Sequence, residues 1–130
     1  MNECDYHRVY FCGYVSDNEL SYLYQNAKVF AFPSLYEGFG YPPLEALRCG
    51  TPSVVSRRSS IPEVMGESAL YVDDPLDPEA FALKVNELIE DTELKKRLLE
   101  SGKRILEAYT LEKFRDKMQA IYEEILKKKR

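Results

Sequence analysis

Phe32-Pro33-Ser34-Leu35-Tyr36-Glu37-Gly38-Phe39-Gly40-Tyr41-Pro42-Pro43-Leu44-Glu45-Ala46-Leu47-Arg48-Cys49-Gly50-Thr51-Pro52 decides the fold. It reads as the end of a strand, a glycine loop, a short helix and a turn into the next strand. Residues 28–32 are a mostly apolar run of β-formers that stops at Pro33. Gly38 and Gly40 flank Phe39, so the backbone there can take a positive φ or lie bare against a ligand. Pro42 suits the first helical position, where its missing N–H costs nothing. Gly50 closes the helix, and Thr51-Pro52 stops it from continuing.

The loop points to an anion. A helix N-terminus carries unpaired N–H groups and about half a positive charge. Pro42 and Pro43 supply no donors, so the free amides concentrate on Gly38, Phe39, Gly40, Tyr41 and Leu44. Such a nest suits a phosphate. Glu37 and Glu45 flank it. Helical side chains lean toward the N-terminus, which brings Glu45 back toward the Glu37 loop. Carboxylates repel phosphate, so their partners here are hydroxyl groups. A phosphate with hydroxyls on both sides describes a nucleotide sugar. Taken singly, Glu45 is an ordinary helix surface residue and Glu37 an ordinary loop acid, and Gly–Pro clusters mostly mark plain turns.

Outward from this stretch, strands alternate with helices. Residues 8–12 predict a short strand with Cys12 in its core. Ser16 and Glu19 form a capping box for a helix over 17–27, with Leu20, Leu23, Tyr24 and Ala27 on its buried face. Residues 29–32 are a buried strand, and 53–56 the next, centred on Val54-Val55. A short helix over 60–65 is capped by Ser60. Residues 69–72 form the last strand. Asp77-Pro78-Glu79 starts a helix to about residue 90, with Phe81, Val85, Leu88 and Ile89 inward. Another runs over 92–108. Thr110 caps a last helix that buries Leu111, Phe114, Met118, Ile121 and Ile125.

This alternation calls for an α/β fold, a Rossmann-like parallel sheet with helices on both faces. Ligands of such sheets sit at the carboxyl ends of the strands. The Gly13, Glu37 and Arg57 loops would then share one crevice. The 130 residues are 45% hydrophobic and 31% charged, enough for a single domain with a real core. Within it residues 1–7 read as a polar leader, 8–109 as the strand and helix units, and 110–130 as the C-terminal helix.

The net charge of -4 and the lack of a basic stripe argue against nucleic acid as a partner. The tail Lys127-Lys128-Lys129-Arg130 is basic, as suits a solvated helix end. No apolar run approaches the ~20 residues of a membrane span, and residues 1–7 do not read as a signal peptide. Cys4, Cys12 and Cys49 form no Cys-x-x-Cys pair, so neither zinc nor a disulfide framework is indicated. A reducing, cytoplasmic location is expected. His7 reads as a surface residue. Asp73-Asp74 precedes Pro75 as a turn initiator and not as a metal motif. No metal and no cofactor is expected.

Glu37 and Glu45, with seven residues between them, stand within Pro-Ser-Leu-Tyr-Glu-Gly-Phe-Gly and Pro-Pro-Leu-Glu-Ala-Leu. That string resembles the signature of retaining GT-B glycosyltransferases, most of all family 4, the group 1 transferases. Ser60-Ile61-Pro62-Glu63-Val64 and Gly13-Tyr14-Val15-Ser16-Asp17 are similar to the same family's flanking segments. The resemblance runs from about Val9 to the C-terminus. It implies that Glu37 holds the reacting donor sugar, with the amides of Gly38, Phe39, Gly40 and Tyr41 on sugar and phosphate and Leu44 N–H helping. It implies Glu45 on the ribose hydroxyls, and Tyr14 and Val15 near the base. It also implies hexose transfer from a nucleoside-diphosphate sugar, with retention and without metal.

The resemblance covers only part of a GT-B C-terminal domain. It implies that the N-terminal acceptor domain, or a split partner chain, completes the enzyme. The family's upstream arginine and lysine on the diphosphate have no counterpart here, since Arg57 and Arg58 follow the wrong strand. Each such contact is worth about 1.5–3 kcal/mol, so the chain alone should bind donor at millimolar levels and transfer nothing. The alternative is a truncated relative acting as a partner or regulatory subunit. A dinucleotide enzyme is disfavoured, since no Gly-x-Gly-x-x-Gly follows the first strand. In the family's sheet two absent strands separate the one matching 9–12 from that matching 29–32. The expected repair is that 9–12 slides in beside 29–32 as a fourth parallel strand, with homo-oligomer formation through the remaining apolar surface.

Overall fold

Val54 and Val55, adjacent on one strand, are both fully buried, and they set the layers of the molecule. Successive strand residues point to opposite faces, so each valine seeds its own core. The computed structural model describes residues 8–128. In chain order it contains α1 (Asp17–Asn26), β1 (Phe30–Phe32), α2 (Tyr41–Arg48), β2 (Ser53–Ser56), α3 (Ile61–Met65), β3 (Ala69–Val72), α4 (Pro78–Glu90), α5 (Thr92–Ala108) and α6 (Leu111–Lys128). The strands form one parallel sheet in the order β1-β2-β3. Phe32 is in register with Val55, and Val55 with Tyr71. One core gathers Val55 with Leu44, Leu47, Ile61, Val64 and Met65 from α2 and α3. The other gathers Val54 and Val72 with Phe81 and Leu88 of α4 and Leu98 of α5. Helices therefore cover both faces of a parallel sheet, the Rossmann-like α/β arrangement.

The helix starts follow their sequence signals. The Glu19 carboxylate accepts both the N–H and the hydroxyl of Ser16, at 2.8 and 2.7 Å. These bonds, the Ser16 N–H first, hold the Glu19 carboxyl below its ordinary range. Asp77 accepts from Ala80 N–H at 2.9 Å and Asp91 from Leu94 N–H at 2.8 Å. Gly50, at φ +82, turns the chain from α2 into β2. The Thr51 hydroxyl donates to the Tyr24 carbonyl, which ties α1 to that turn. Gly102 of α5 is buried against Leu47 of α2, where a Cβ would stand 2.4 Å from Leu47 Cδ1.

Several expectations need correction. Residues 9–12 form no strand, and the sheet has three strands among the described residues. Tyr10 and Phe11 are exposed at 86% and 87%, and Cys12 is exposed rather than in a strand core. β-propensity does not hold a segment that has no strand beside it. On α1 only Tyr24 is buried; Leu20 and Ala27 are half-buried and Leu23 is exposed. On α4, Phe81 and Leu88 are buried and Val85 half-buried, but Ile89 faces solvent. β1 begins at Phe30, and Pro42 is the second residue of α2, after Tyr41. α6 forms as expected but buries no residue: its apolar stripe lies open. Cys4 and His7 lie outside the described residues.

Candidate functional site

β1 ends at Phe32 and α2 starts at Tyr41, so the loop between them leaves the carboxyl end of the sheet. Gly40 is the residue before α2 and sits at φ +97, ψ 53. Side-chain-bearing residues rarely adopt that left-handed geometry, so glycine is required there. Gly38 has nothing within 4 Å of the place a Cβ would occupy, so its backbone is bare. Between them Phe39 is half-buried, packed against Tyr41 at 4.7 Å and edge-on to Tyr109 at 5.3 Å between ring centres. Among the described residues no backbone or side-chain acceptor takes the N–H of Gly38, Phe39 or Gly40. With Tyr41 N–H at the first helical position, these amides are open donors at a helix N-terminus.

Serines fix this loop from behind. The Glu37 carboxylate accepts the Ser34 hydroxyl at 2.8 Å. The Glu37 carbonyl accepts the hydroxyls of Ser59 at 2.6 Å and Ser60 at 3.0 Å. Ser60 Oγ is also 3.0 Å from the Phe39 carbonyl, so its one proton is shared between two acceptors. The Ser56 hydroxyl donates to the Ser34 carbonyl. Ser60 was expected to cap α3; its hydroxyl turns away from that helix to the Glu37 loop, where carbonyls would otherwise lack partners. Ser59 takes a left-handed backbone at φ +52.

Leu44 and Glu45 divide α2 between core and surface. The Leu44 side chain is buried in the core, and its N–H is the first amide after the two prolines. Glu45 is exposed, and its carboxylate receives the Tyr24 hydroxyl in a long contact of 3.5 Å. Burial, and then the Glu45 charge, push the Tyr24 phenol above its ordinary value. Tyr24 therefore stays a neutral donor toward a carboxylate that keeps its other lone pairs free for hydroxyl groups.

Among the described residues no hydrogen bond or ring contact ties Tyr14 or Val15 to the Glu37 loop. Tyr14 is 98% exposed. Val15 lines an open groove of about 400 Å³ with Cys12, Asn18, Glu19, Tyr22 and Leu23, none of them from the Glu37 loop. Of the three loops expected to share a crevice, the two after β1 and β2 are joined by the serine bonds, and the Gly13 loop is not. Arg57 is occupied on the far side: it pairs with Asp73 at 2.9 Å and lies 4.5 Å over the Tyr71 ring. Burial pushes the Tyr71 phenol up to about 12, with Arg57 pulling against it. Among the described residues no group of three or more His, Cys, Asp or Glu could hold a metal ion. No described helix is long and apolar enough to cross a membrane.

The sequence profile of the glycosyl transferases group 1 matches residues 3–105. The chain belongs to that family. It is 47% identical over 81 residues to the O-antigen chain mannosyltransferase B of Escherichia coli, a match covering 62% of this chain and 21% of that protein. It is 35% identical over 116 residues to the MMP alpha-(1->4)-mannosyltransferase of Mycolicibacterium hassiacum, covering 86% of this chain and 28% of that one. Among solved structures it is similar to the sucrose-phosphate synthase of Thermosynechococcus elongatus, with a TM-score of 0.80 and 28% identity over 92% of this chain and 31% of that one. The chain thus spans less than a third of each of these proteins. The Rossmann-like sheet of this group 1 chain matches part of a GT-B glycosyltransferase, and the resemblance supports a transferase.

The sequence singles out both glutamates and the glycine loop as candidates but not the bonds made to the glutamates by Ser34, Ser59, Ser60 and the Tyr24 hydroxyl. Tyr24 was legible only as a core residue. Ser59 and Ser60 carried a weak signal, two hydroxyls just before a short Pro-containing helix.

Proposed function

We propose that this chain is the nucleotide-sugar-binding part of a family 4 retaining glycosyltransferase, using a hexosyl donor in the cytoplasm. One observation carries the reading. Glu37 and Glu45 flank a run of open amides at a helix N-terminus whose entry is forced by left-handed Gly40. The amides of Gly38, Phe39, Gly40 and Tyr41 suit a diphosphate, and Glu45 suits ribose hydroxyls. Glu37, already held by Ser34, suits a hydroxyl of the transferred sugar. During transfer the bond from the anomeric carbon to the diphosphate oxygen breaks, and a bond to the acceptor oxygen forms on the same face. The leaving diphosphate takes the acceptor proton. Fixed N–H donors stabilise its growing charge without reorganising. An acceptor domain, on this chain or a partner, completes the reaction, and no metal is required.

The names of the two mannosyltransferase relatives put mannosyl donors first in any panel. Calorimetric titration with nucleoside diphosphates and their sugars tests the reading. Binding in the millimolar range, weakened by Glu45→Gln for the free nucleoside diphosphate, supports it. Glu37→Gln should leave the free diphosphate unaffected and weaken only the sugar-bearing form. No binding of any member, or binding indifferent to both changes in a folded protein, sinks it.

A further inference from the structure

Both glutamates of the candidate site are held by neutral hydroxyls. Ser34 donates to Glu37 Oε1 at 2.8 Å, and Tyr24 donates to Glu45 Oε2 at 3.5 Å. No lysine or arginine among the described residues pairs with either carboxylate. Ser34 is a near neighbour, three residues from Glu37 in the same loop. Tyr24 reaches Glu45 from another helix, twenty-one residues away in the chain. The rest of Tyr24 is fixed. It is only 8% exposed. Its ring stands edge-on to Phe30 of β1, at 5.3 Å between centres. Its carbonyl accepts the Thr51 hydroxyl and the Ala27 N–H. A phenol held at ring and backbone has one adjustable atom, the hydroxyl proton, and the acceptor it meets is Glu45. Glu45 itself is exposed on α2. An exposed glutamate samples several rotamers and loses that freedom when it binds.

We propose that Tyr24 is a positioning residue for the nucleotide: its hydroxyl holds one oxygen of Glu45, so that the other oxygen meets the ribose hydroxyls. This rests on the donor reading above. A neutral donor suits the task better than a cation. It orients the carboxylate without neutralising it, so Glu45 keeps the charge that strengthens a bond from a ribose hydroxyl. The phenol acts through Glu45 and touches no substrate. At 3.5 Å the contact is a long one, so the expected effect is moderate.

Titration of the whole chain, followed by NMR, with ADP, GDP and UDP and with their dideoxyribose counterparts tests it. Tyr24→Phe keeps the ring against Phe30 and deletes only the oxygen. It should weaken the ribose forms about threefold to tenfold and leave the dideoxyribose forms within about twofold, as loss of one hydrogen bond predicts. Added to Glu45→Ala, Tyr24→Phe should cost nothing more, because the two residues act as one unit. A purely structural tyrosine would weaken both kinds of nucleotide together. Equal losses for the two kinds therefore overturn the proposal, as does a Tyr24→Phe loss that persists undiminished beside Glu45→Ala. Wild-type affinity in Tyr24→Phe, with weak binding in Glu45→Ala, overturns it while the donor reading stands. If the wild type binds no nucleoside diphosphate, the donor reading fails and this inference fails with it.

Discussion

The hydroxyl of Ser59 donates to the main-chain carbonyl of Glu37 at 2.6 Å, and this bond joins the loop after β2 to the loop after β1. Ser60 reinforces it at 3.0 Å. Replacing both serines by alanine leaves the Glu37 carbonyl without these partners. An unpaired group of that kind costs about 1–3 kcal/mol when buried, and the lower end applies to this partly open loop. Denaturant unfolding of Ser59→Ala with Ser60→Ala should show a loss near the lower end. In a reconstituted enzyme the same variant should lose turnover more than Glu45-dependent nucleotide binding, because the bonds position Glu37. A variant with wild-type stability and turnover would show that the serines do not hold the loop.

Gly102→Ala should destabilise the protein, against the usual helix preference. Alanine in a helix interior is normally better than glycine by about 1 kcal/mol. Here the new methyl would stand 2.4 Å from Leu47 Cδ1 and 3.0 Å from both Cγ and Cδ2. Leu47 is only 4% exposed and cannot swing clear. Overpacking of this kind costs about 1–3 kcal/mol, so the net change should be a loss. The double variant with Leu47→Ala should lose less than the sum of the two single losses, because the cavity left by Leu47 accepts the new methyl, and unfolding of all three variants would reveal the coupling.

Tyr71 gives the fold an alkaline limit. Its folded value, about 12, lies above the ordinary 10 because burial disfavours the phenolate. A raised folded value stabilises the protein fully below pH 10, and that contribution is lost as pH climbs from 10 through 12. Stability measured by denaturant should therefore hold level up to about pH 10 and then fall with the Tyr71 share. Tyr71→Phe should remove that share of the slope and the last-rising component of tyrosinate absorbance. It also deletes the bond to the Gly66 carbonyl at 2.6 Å, so its neutral-pH stability should be lower. An unchanged alkaline slope would contradict the assignment.

What could be read from sequence was whatever short-range chemistry decides. Gly40, the two prolines and Gly50 punctuate α2 by their own backbone limits, and Asp77 and Asp91 cap helices three residues away. The failures all required a distant partner. Val9, Tyr10 and Phe11 have strand chemistry, but nothing in those residues reports whether a strand lies beside them. The α6 stripe announces an apolar face without saying what covers it. Ser59 and Ser60 reach Glu37 across more than twenty residues, and Thr51 reaches Tyr24 in the same way. In the candidate site the two glutamates were legible because they sit in one continuous string, and their supports were not because they come from elsewhere.

The strands of the sheet lie side by side in the order in which they occur along the chain. Phe30 pairs with Ser53, and Ser53 with Ala69, so each crossover is short. Closing loops of this size takes little entropy, and such local contacts favour rapid folding. The first crossover carries Glu37, Gly40 and Glu45, and the chain just past it supplies Ser59 and Ser60. Among the described residues from Pro78 onward, the chain adds Tyr109 against Phe39 but no hydrogen bond to the loop. The loop between β1 and α2 thus takes its side-chain hydrogen bonds from residues that all precede α4 in the chain.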